Sequence, residues 1–442
     1  MSAPSLRRSL KLTQLVIMGI ILVQPTAPMP LFGVVFQEAK GHVVVTILLA
    51  MIAMLLTAIS YGRMARAYPS AGSAYTYVGE EVHPAAGYLT GWSMLLDYVL
   101  NPLICTIWCA KAAGNIAPAI PYALWALFFA GLFTFLNLRQ VQTTAQVNTI
   151  LAVVMGVVIL WFLWAVARYI AGLPSGVDAA FFLKPFYDPA TFSASHVATG
   201  TSLAVLTYIG FDAISTLSEE VVDPKRNILR ATVLVCLITG VLSAIEVYAA
   251  QLIWPYGQAF PDIDTAFVHV AGKAGGVVLF QVLNFTLLVA SIGSGAGGQL
   301  AGARMLYGMG RDGSIPRGLF GHIDAKSGIP TYNVLLIGAL SALGAFLMSY
   351  ELGAELLNFG AFIGFMGVNI AALLRWYVRA SDKKLSALLP PVFGFLICFV
   401  MWLNLRTPSK LAGFGWLALG ALLLWWRGKV QPPTDEARGA IE

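Results

Sequence analysis

Stretches of roughly 20 apolar residues, the length a helix needs to cross the hydrocarbon core of a bilayer, recur along this chain. They cover 12–36, 43–64, 87–113, 122–138, 147–171, 197–218, 231–254, 275–305, 332–350, 356–378, 385–405 and 411–426. No other feature restricts the fold as much. Hydrocarbon offers no partner to a backbone N–H or C=O, so a crossing segment bonds within itself as a helix or joins a closed barrel. Long apolar runs without alternation predict helices. The residue balance agrees: 58% are hydrophobic and 11% charged, against about half and a quarter in soluble domains. An ordinary cytosolic enzyme is excluded. The net charge of +6 comes from short basic clusters between the apolar runs, not from one stripe along a polar face. That distribution suits a lipid bilayer and predicts no nucleic-acid partner. Cys105, Cys109, Cys236 and Cys398 lie inside apolar runs, so neither a disulfide scaffold nor a zinc knuckle is expected.

Twelve spans return the chain to the side on which it started. With the N-terminus inside, 20 of the 27 Lys and Arg fall on the cytoplasmic side. They run from Arg7, Arg8 and Lys11 to Arg427, Lys429 and Arg438. Only Lys40, Lys111, Arg168, Lys184, Lys273, Arg406 and Lys410 remain outside. The positive-inside rule therefore predicts a multi-pass protein with both termini cytoplasmic. The first span is too long for a signal peptide and lacks the small-residue cleavage pattern. The longest loops, 172–196 and 310–331, are too short to form a soluble domain. No Gly-x-x-x-x-Gly-Lys-Ser/Thr motif occurs, so pumping would draw on an ion gradient or on exchange.

The first span contains Gln24-Pro25-Thr26-Ala27-Pro28-Met29-Pro30. Each proline lacks an N–H and clashes with the preceding turn, so three of them predict two half-helices rather than one kinked rod. The sixth span carries Leu206-Thr207-Tyr208-Ile209-Gly210-Phe211-Asp212, a second candidate break. Spans one and six are corresponding members of two five-span halves, the arrangement of inverted-repeat transporters with a midplane site. Backbone groups freed at such breaks must line a cavity.

Tyr68-Pro69-Ser70-Ala71-Gly72-Ser73-Ala74-Tyr75-Thr76-Tyr77, Gly210-Phe211-Asp212 with Glu219-Glu220 and Asp223-Pro224-Lys225-Arg226-Asn227, and Arg304-Met305-Leu306-Tyr307-Gly308-Met309-Gly310-Arg311-Asp312-Gly313 followed by Pro316 resemble signatures of one family. They are similar in order and spacing to those of the amino acid–polyamine–organocation permeases, and look most like its putrescine-importer branch. The resemblance implies an all-α integral membrane fold of the leucine-transporter type. It would have 12 transmembrane helices in a 5+5 inverted repeat: residues 1–171, residues 172–378, and two peripheral helices with a tail in 379–442. It also implies alternating access in a bacterial inner membrane. Matched onto an arginine–agmatine exchanger of this family, Ile21, Gln24 and Pro25, Asp97 and Tyr98, and Leu206, Ile209 and Gly210 fall on substrate contacts. Asp212 falls on that exchanger's acidic residue in helix six, and Gly298 replaces its tryptophan. The chain departs from the family in two ways. The first-helix break has no glycine cradle for a carboxylate, and the fifth span has no lysine near Val153.

Ionisable residues at membrane depth default to functional candidates. Asp97 reads either as a partner for a substrate ammonium or as a hydrogen-bond anchor for a backbone break. Asp212 is either an N-cap, favoured by the half-helix dipole, or a proton-linked switch. Glu246 either bonds a neighbouring helix or carries the coupling proton. Thr26, Tyr208 and Gln299 are further substrate-contact candidates, with Tyr208 as an aromatic gate over an amine or as ordinary packing. Ser294 and Asn358 are weaker additions. His42 and His196 have no second ligand at useful spacing, so no metal and no cofactor is expected. These residues predict a proton-coupled importer of a small amine-bearing solute, an amino acid or a polyamine such as putrescine. An amino acid/amine exchanger is the nearest alternative; a channel and an integral-membrane enzyme are the alternatives from other classes. A channel would need repeated rings around a pore, and an enzyme a catalytic cluster at a membrane face.

Overall fold

Helices form throughout, and among the described residues the only β-type pairing is an isolated bridge between Leu10 and Val221. The structure is a computed structural model that describes residues 10–68, 73–139, 145–173, 177–217, 221–311, 313, 315–324 and 328–427. Pro69, Ser70, Ala71, Gly72, Glu219, Glu220 and Asp312 of the family signatures lie outside these residues, as do the basic residues Arg7, Arg8, Lys326, Lys429 and Arg438.

The helices are α1 Leu12–Val23, α2 Phe32–Glu38, α3 Val43–Ala67, α4 Ser73–Glu81, α5 Pro84–Ile116, α6 Tyr122–Leu138, α7 Ala145–Ala171 and α8 Ala179–Leu183. Then come α9 Ala194–Ala204, α10 Pro224–Ile253, α11 Ala266–Arg311, α12 Arg317–Phe320, α13 Thr331–Leu347, α14 Tyr350–Leu373, α15 Leu385–Leu403 and α16 Thr407–Arg427. Between α9 and α10 lie two short 3₁₀ segments, Val205–Tyr208 and Asp212–Leu217, and α14 runs on into a π turn at Leu374–Val378. Among the described residues nine helices are long and apolar enough to cross a membrane, and Leu12–Val23, Tyr122–Leu138 and Thr331–Leu347 are shorter apolar helices.

Helix boundaries follow local chemistry. Proline opens α5 and α10 at the first turn, where its missing N–H costs nothing. Gly276 takes φ +77 and divides α11 into a short leading piece and a long one. The ninth apolar run was expected to extend to Tyr350, yet α13 stops at Leu347 and Tyr350 opens α14. The reason is Ser349, whose hydroxyl accepts the Leu352 N–H at 3.1 Å and caps the new helix.

Two bodies emerge from the packing. In one, α10 lies along α3 and α1, and the 3₁₀ segments rest on α3 and α10; in the other, α5 packs against α11, α14, α6 and α13. Lipid tails are as apolar as the helices, so close backbone approach and polar cross-ties hold such bodies. A Cβ at Gly360 of α14 would collide with the Ser93 carbonyl of α5, so these two helices touch backbone to backbone. Within the second body Asn284 of α11 donates to the Ala112 carbonyl of α5 at 2.8 Å, and between the bodies Asn369 of α14 donates to Thr57 Oγ1 of α3 at 3.1 Å. At the chain's end, the indoles of Trp92 (α5) and Trp416 (α16) stack at 4.5 Å. Each donates to the other's backbone carbonyl, at 2.8 and 2.9 Å.

Candidate functional site

Breaks occur in both expected spans. Residues 24–31 separate α1 from α2. Pro25 cannot supply the donor that a continuing helix would give the Ile21 carbonyl, and Pro28 and Pro30 remove those for Gln24 and Thr26. The last two carbonyls are recaptured by tight turns, from Ala27 N–H at 3.2 Å and Met29 N–H at 3.0 Å. Gln24 takes φ +70 and ψ 128, a backbone costing about 1–3 kcal/mol for a residue with a side chain. Its amide reaches across to the Ala290 carbonyl of α11 at 3.4 Å.

In the sixth span the helix tightens to 3₁₀ over Val205–Tyr208, opens at Ile209 and Gly210, and restarts at Asp212. Gly210 has φ +113, and a Cβ there would lie 3.2 Å from the Leu22 carbonyl. The two breaks therefore meet, and only glycine combines that backbone with that approach. Asn358 of α14 donates to the Ser202 and Leu203 carbonyls at 2.8 and 3.2 Å, serving acceptors at the point where α-helical bonding ends.

Around this meeting point is a cavity of about 600 Å³. Ile21, Gln24, Pro25, Asp97, Tyr98, Leu206, Ile209, Gly210 and Asp212 all line it, on α1, the first break, α5 and the second break. Ser294, Gly297 and Gly298 of α11 complete one wall. Asp97 is buried, and no described residue donates to its carboxylate. Asp212 accepts the Gly210 N–H at 3.3 Å, a bond that reaches back into the break, and it is also held by the N–H groups that open the second half of the span. Among the described residues, no lysine or arginine lines the cavity.

Three expected solute contacts lie elsewhere, and so does Glu246, the proton-coupling candidate expected outside the solute site. Thr26 is buried with its hydroxyl directed at Met155 Sδ, 3.9 Å away. Tyr208 is fully buried and donates to the Ile47 carbonyl of α3 at 2.8 Å. It packs the first body and does not roof the cavity. We expect Tyr208→Phe to lower thermal stability by about 1 kcal/mol while leaving solute affinity where it was; a thermal melt and a binding isotherm check this. Gln299 donates to Thr134 Oγ1 and the Val334 carbonyl, both at 2.9 Å, and accepts from Asn137 at 3.1 Å. It thus ties α11 to α6 and α13. Glu246 of α10 is fully buried, and among the described residues neither of its carboxylate oxygens has a hydrogen-bond partner.

Other wall residues went unnoticed in the sequence. Asn101, Ile104, Cys105 and Trp108 continue the face of α5 that carries Asp97, and Leu151, Ala152 and Met155 come from α7. Tyr350 enters from the first turn of α14. The helical spacing from Asp97 to Trp108 is the signal that would have found the α5 set.

A helical chain of membrane-crossing length, with two interrupted helices meeting at a solute-sized cavity, has the architecture of a membrane transport protein. Residues 15–407 match the family described as amino acid permease. The chain belongs to this family, within the amino acid–polyamine–organocation superfamily, and is a multi-pass membrane transporter, not an enzyme. It is 34% identical over 435 residues to the low-affinity putrescine importer PlaP of Escherichia coli strain K12, covering 96% of this chain and 94% of that one. It is 27% identical to the vacuolar cationic amino acid transporter 4 of Arabidopsis thaliana, over 86% of this chain and 65% of that one. To the branched-chain amino acid permease BcaP of Bacillus subtilis it is 24% identical, over 95% and 91%.

Proposed function

We propose that this permease imports a small organic amine, a polyamine such as putrescine in preference to a zwitterionic amino acid, by alternating access coupled to protons. The observation that carries the reading is the charge of the cavity: Asp97 and Asp212 line it, and among the described residues no basic side chain does. An unpartnered carboxylate at membrane depth costs several kcal/mol, and a solute ammonium offsets that cost for Asp97. The first break adds acceptors, since α1 presents its C-terminal, partially negative end to the cavity. It offers little to a carboxylate, because the prolines at 25, 28 and 30 have no N–H to donate. Tyr98, Trp108 and Tyr350 supply ring faces for the alkyl chain and the cation. The putrescine importer among the relatives supports the same solute class.

On this reading the twelve apolar segments are twelve spans. They form two inverted repeats, 1–171 and 172–378, with a peripheral pair in 379–442, and both termini lie in the cytoplasm of a bacterial cell bounded by this inner membrane. Protons enter through Asp212, which faces the cavity beside the hinge of the sixth span, and Glu246 is a second carrier outside it.

A thermal-shift screen of the purified protein against diamines, monoamines and amino acids tests the solute class. Diamines should raise the melting temperature at concentrations where neutral amino acids do not; the opposite order would overturn the amine reading. Asp212→Asn should flatten the pH dependence of uptake in proteoliposomes, and a profile that keeps its shape would remove Asp212 from the proton route.

A further inference from the structure

Where α3 ends, a cluster of polar groups joins the two bodies at a distance from the cavity. Glu81, the last residue of α4, is 2% exposed. Its carboxylate accepts from Arg375 Nη1 and Arg379 Nη1, both at 2.6 Å, and from the Tyr68 hydroxyl at 2.8 Å. Arg379 also donates to the Glu81 backbone carbonyl at 2.9 Å. Arg375 reaches the Tyr68 oxygen at 3.0 Å and lies 4.9 Å from its ring centre. Arg375 lies within the π turn that follows α14, and Arg379 caps it.

These bonds differ in what their rupture would leave behind. Separating Glu81 from its arginines would strand a buried charge, which is strongly disfavoured, so the ion pairs fix α4 to α14 permanently. Tyr68 caps α3, in the other body. Releasing its hydroxyl orphans no charge, because both arginines stay on the carboxylate and water can replace the phenol. A parallel tie, Ser73 Oγ to Ser215 Oγ at 2.9 Å, links the start of α4 to the second half of the sixth span. Between these ties the rings of Tyr61, Phe211 and Phe365 pack with centroids 5.4–6.0 Å apart.

We propose that Tyr68 is the releasable arm of a latch, anchored on Glu81, Arg375 and Arg379, that holds the cytoplasmic side of the cavity closed until the two bodies part. Tyr68 is thus a positioning residue for transport and touches no solute. Burial and then the bond to Glu81 push its phenol up to about 12, with Glu80 adding and Arg375 opposing. The phenol therefore stays protonated and donates near neutral pH.

The latch rests on the alternating-access reading, and its test needs no substrate, so a mistaken solute would leave the result intact. Cys105 lines the cavity, whereas Cys109, Cys236 and Cys398 are buried in packing. Full-length protein in inside-out vesicles is treated with a membrane-impermeant maleimide, and labelling at each cysteine is read by mass spectrometry. Tyr68→Phe should speed labelling of Cys105 by about tenfold, the scale of one hydrogen bond to a charged group. Cys236 should stay unlabelled, and right-side-out vesicles should show no such gain. Glu81→Gln, measured alongside, should act in the same direction. Labelling of Cys105 at the wild-type rate in Tyr68→Phe, with Cys236 still protected, would overturn the latch, as would equal acceleration from both faces.

Discussion

Asparagine in place of Asp97 is expected to abolish amine uptake while the protein still folds. The carboxylate is buried in the wall of the cavity without a protein donor, so nothing in the fold depends on its charge. The side-chain amide has nearly the same volume and keeps the helical face of α5 intact. What disappears is the charge that an ammonium meets away from water. Losing one member of such a pair costs about 2–5 kcal/mol, at least roughly 30-fold in affinity. Tracer uptake in proteoliposomes measures the loss, and a melt in the absence of solute should show stability equal to or above that of the parent. Uptake at the parent rate would remove Asp97 from the site.

The second large effect is steric. Gly297 lies on the wall formed by α11, and a Cβ built there meets nothing within 4 Å. A side chain at this point grows into the cavity without pushing on a neighbour. Gly297→Leu should therefore stop uptake of even a short diamine, with a loss of at least about tenfold. Folding should improve slightly, since glycine in a helix is worth about 1 kcal/mol less than alanine. Gly298, one position on, behaves otherwise: its Cβ would come 2.5 Å from Asn101 Oδ1 and displace a wall residue. A bulky residue at 297 that leaves uptake and solute-induced stabilisation unchanged would place the solute elsewhere.

The interruptions were legible because proline acts through its own covalent structure. Whatever surrounds Pro25, Pro28 and Pro30, their missing N–H groups stop a helix. The burial of the site's carboxylate was also readable, since an aspartate among Leu95, Leu96 and Val99 has little chance of reaching water. Side-chain direction was not readable. Tyr208 sits in a 3₁₀ segment, where three residues make a turn instead of 3.6, and the altered phase turns its ring towards α3. Gln299 follows Gly298 by one helical step of about 100°, enough to carry it from the cavity wall into the contact with α6 and α13. Tyr350 reads as the end of the ninth apolar run, and only the capping bond of Ser349 shows that it opens α14. Leu151, Ala152 and Met155 carry no polar signal, and their place in the wall depends on how α7 leans on α1 and α11.

The paired indoles of Trp92 and Trp416 impose an order on biogenesis. Trp92 sits five residues before Asp97 on α5 and leaves the ribosome more than 300 residues ahead of its partner. Until α16 is made, its N–H has no backbone acceptor there, and the helix bearing the central carboxylate stands in lipid without its brace. Maturation of the solute chamber is thus tied to synthesis of α16, and a polypeptide that stops short of it leaves the Trp92 indole without this acceptor.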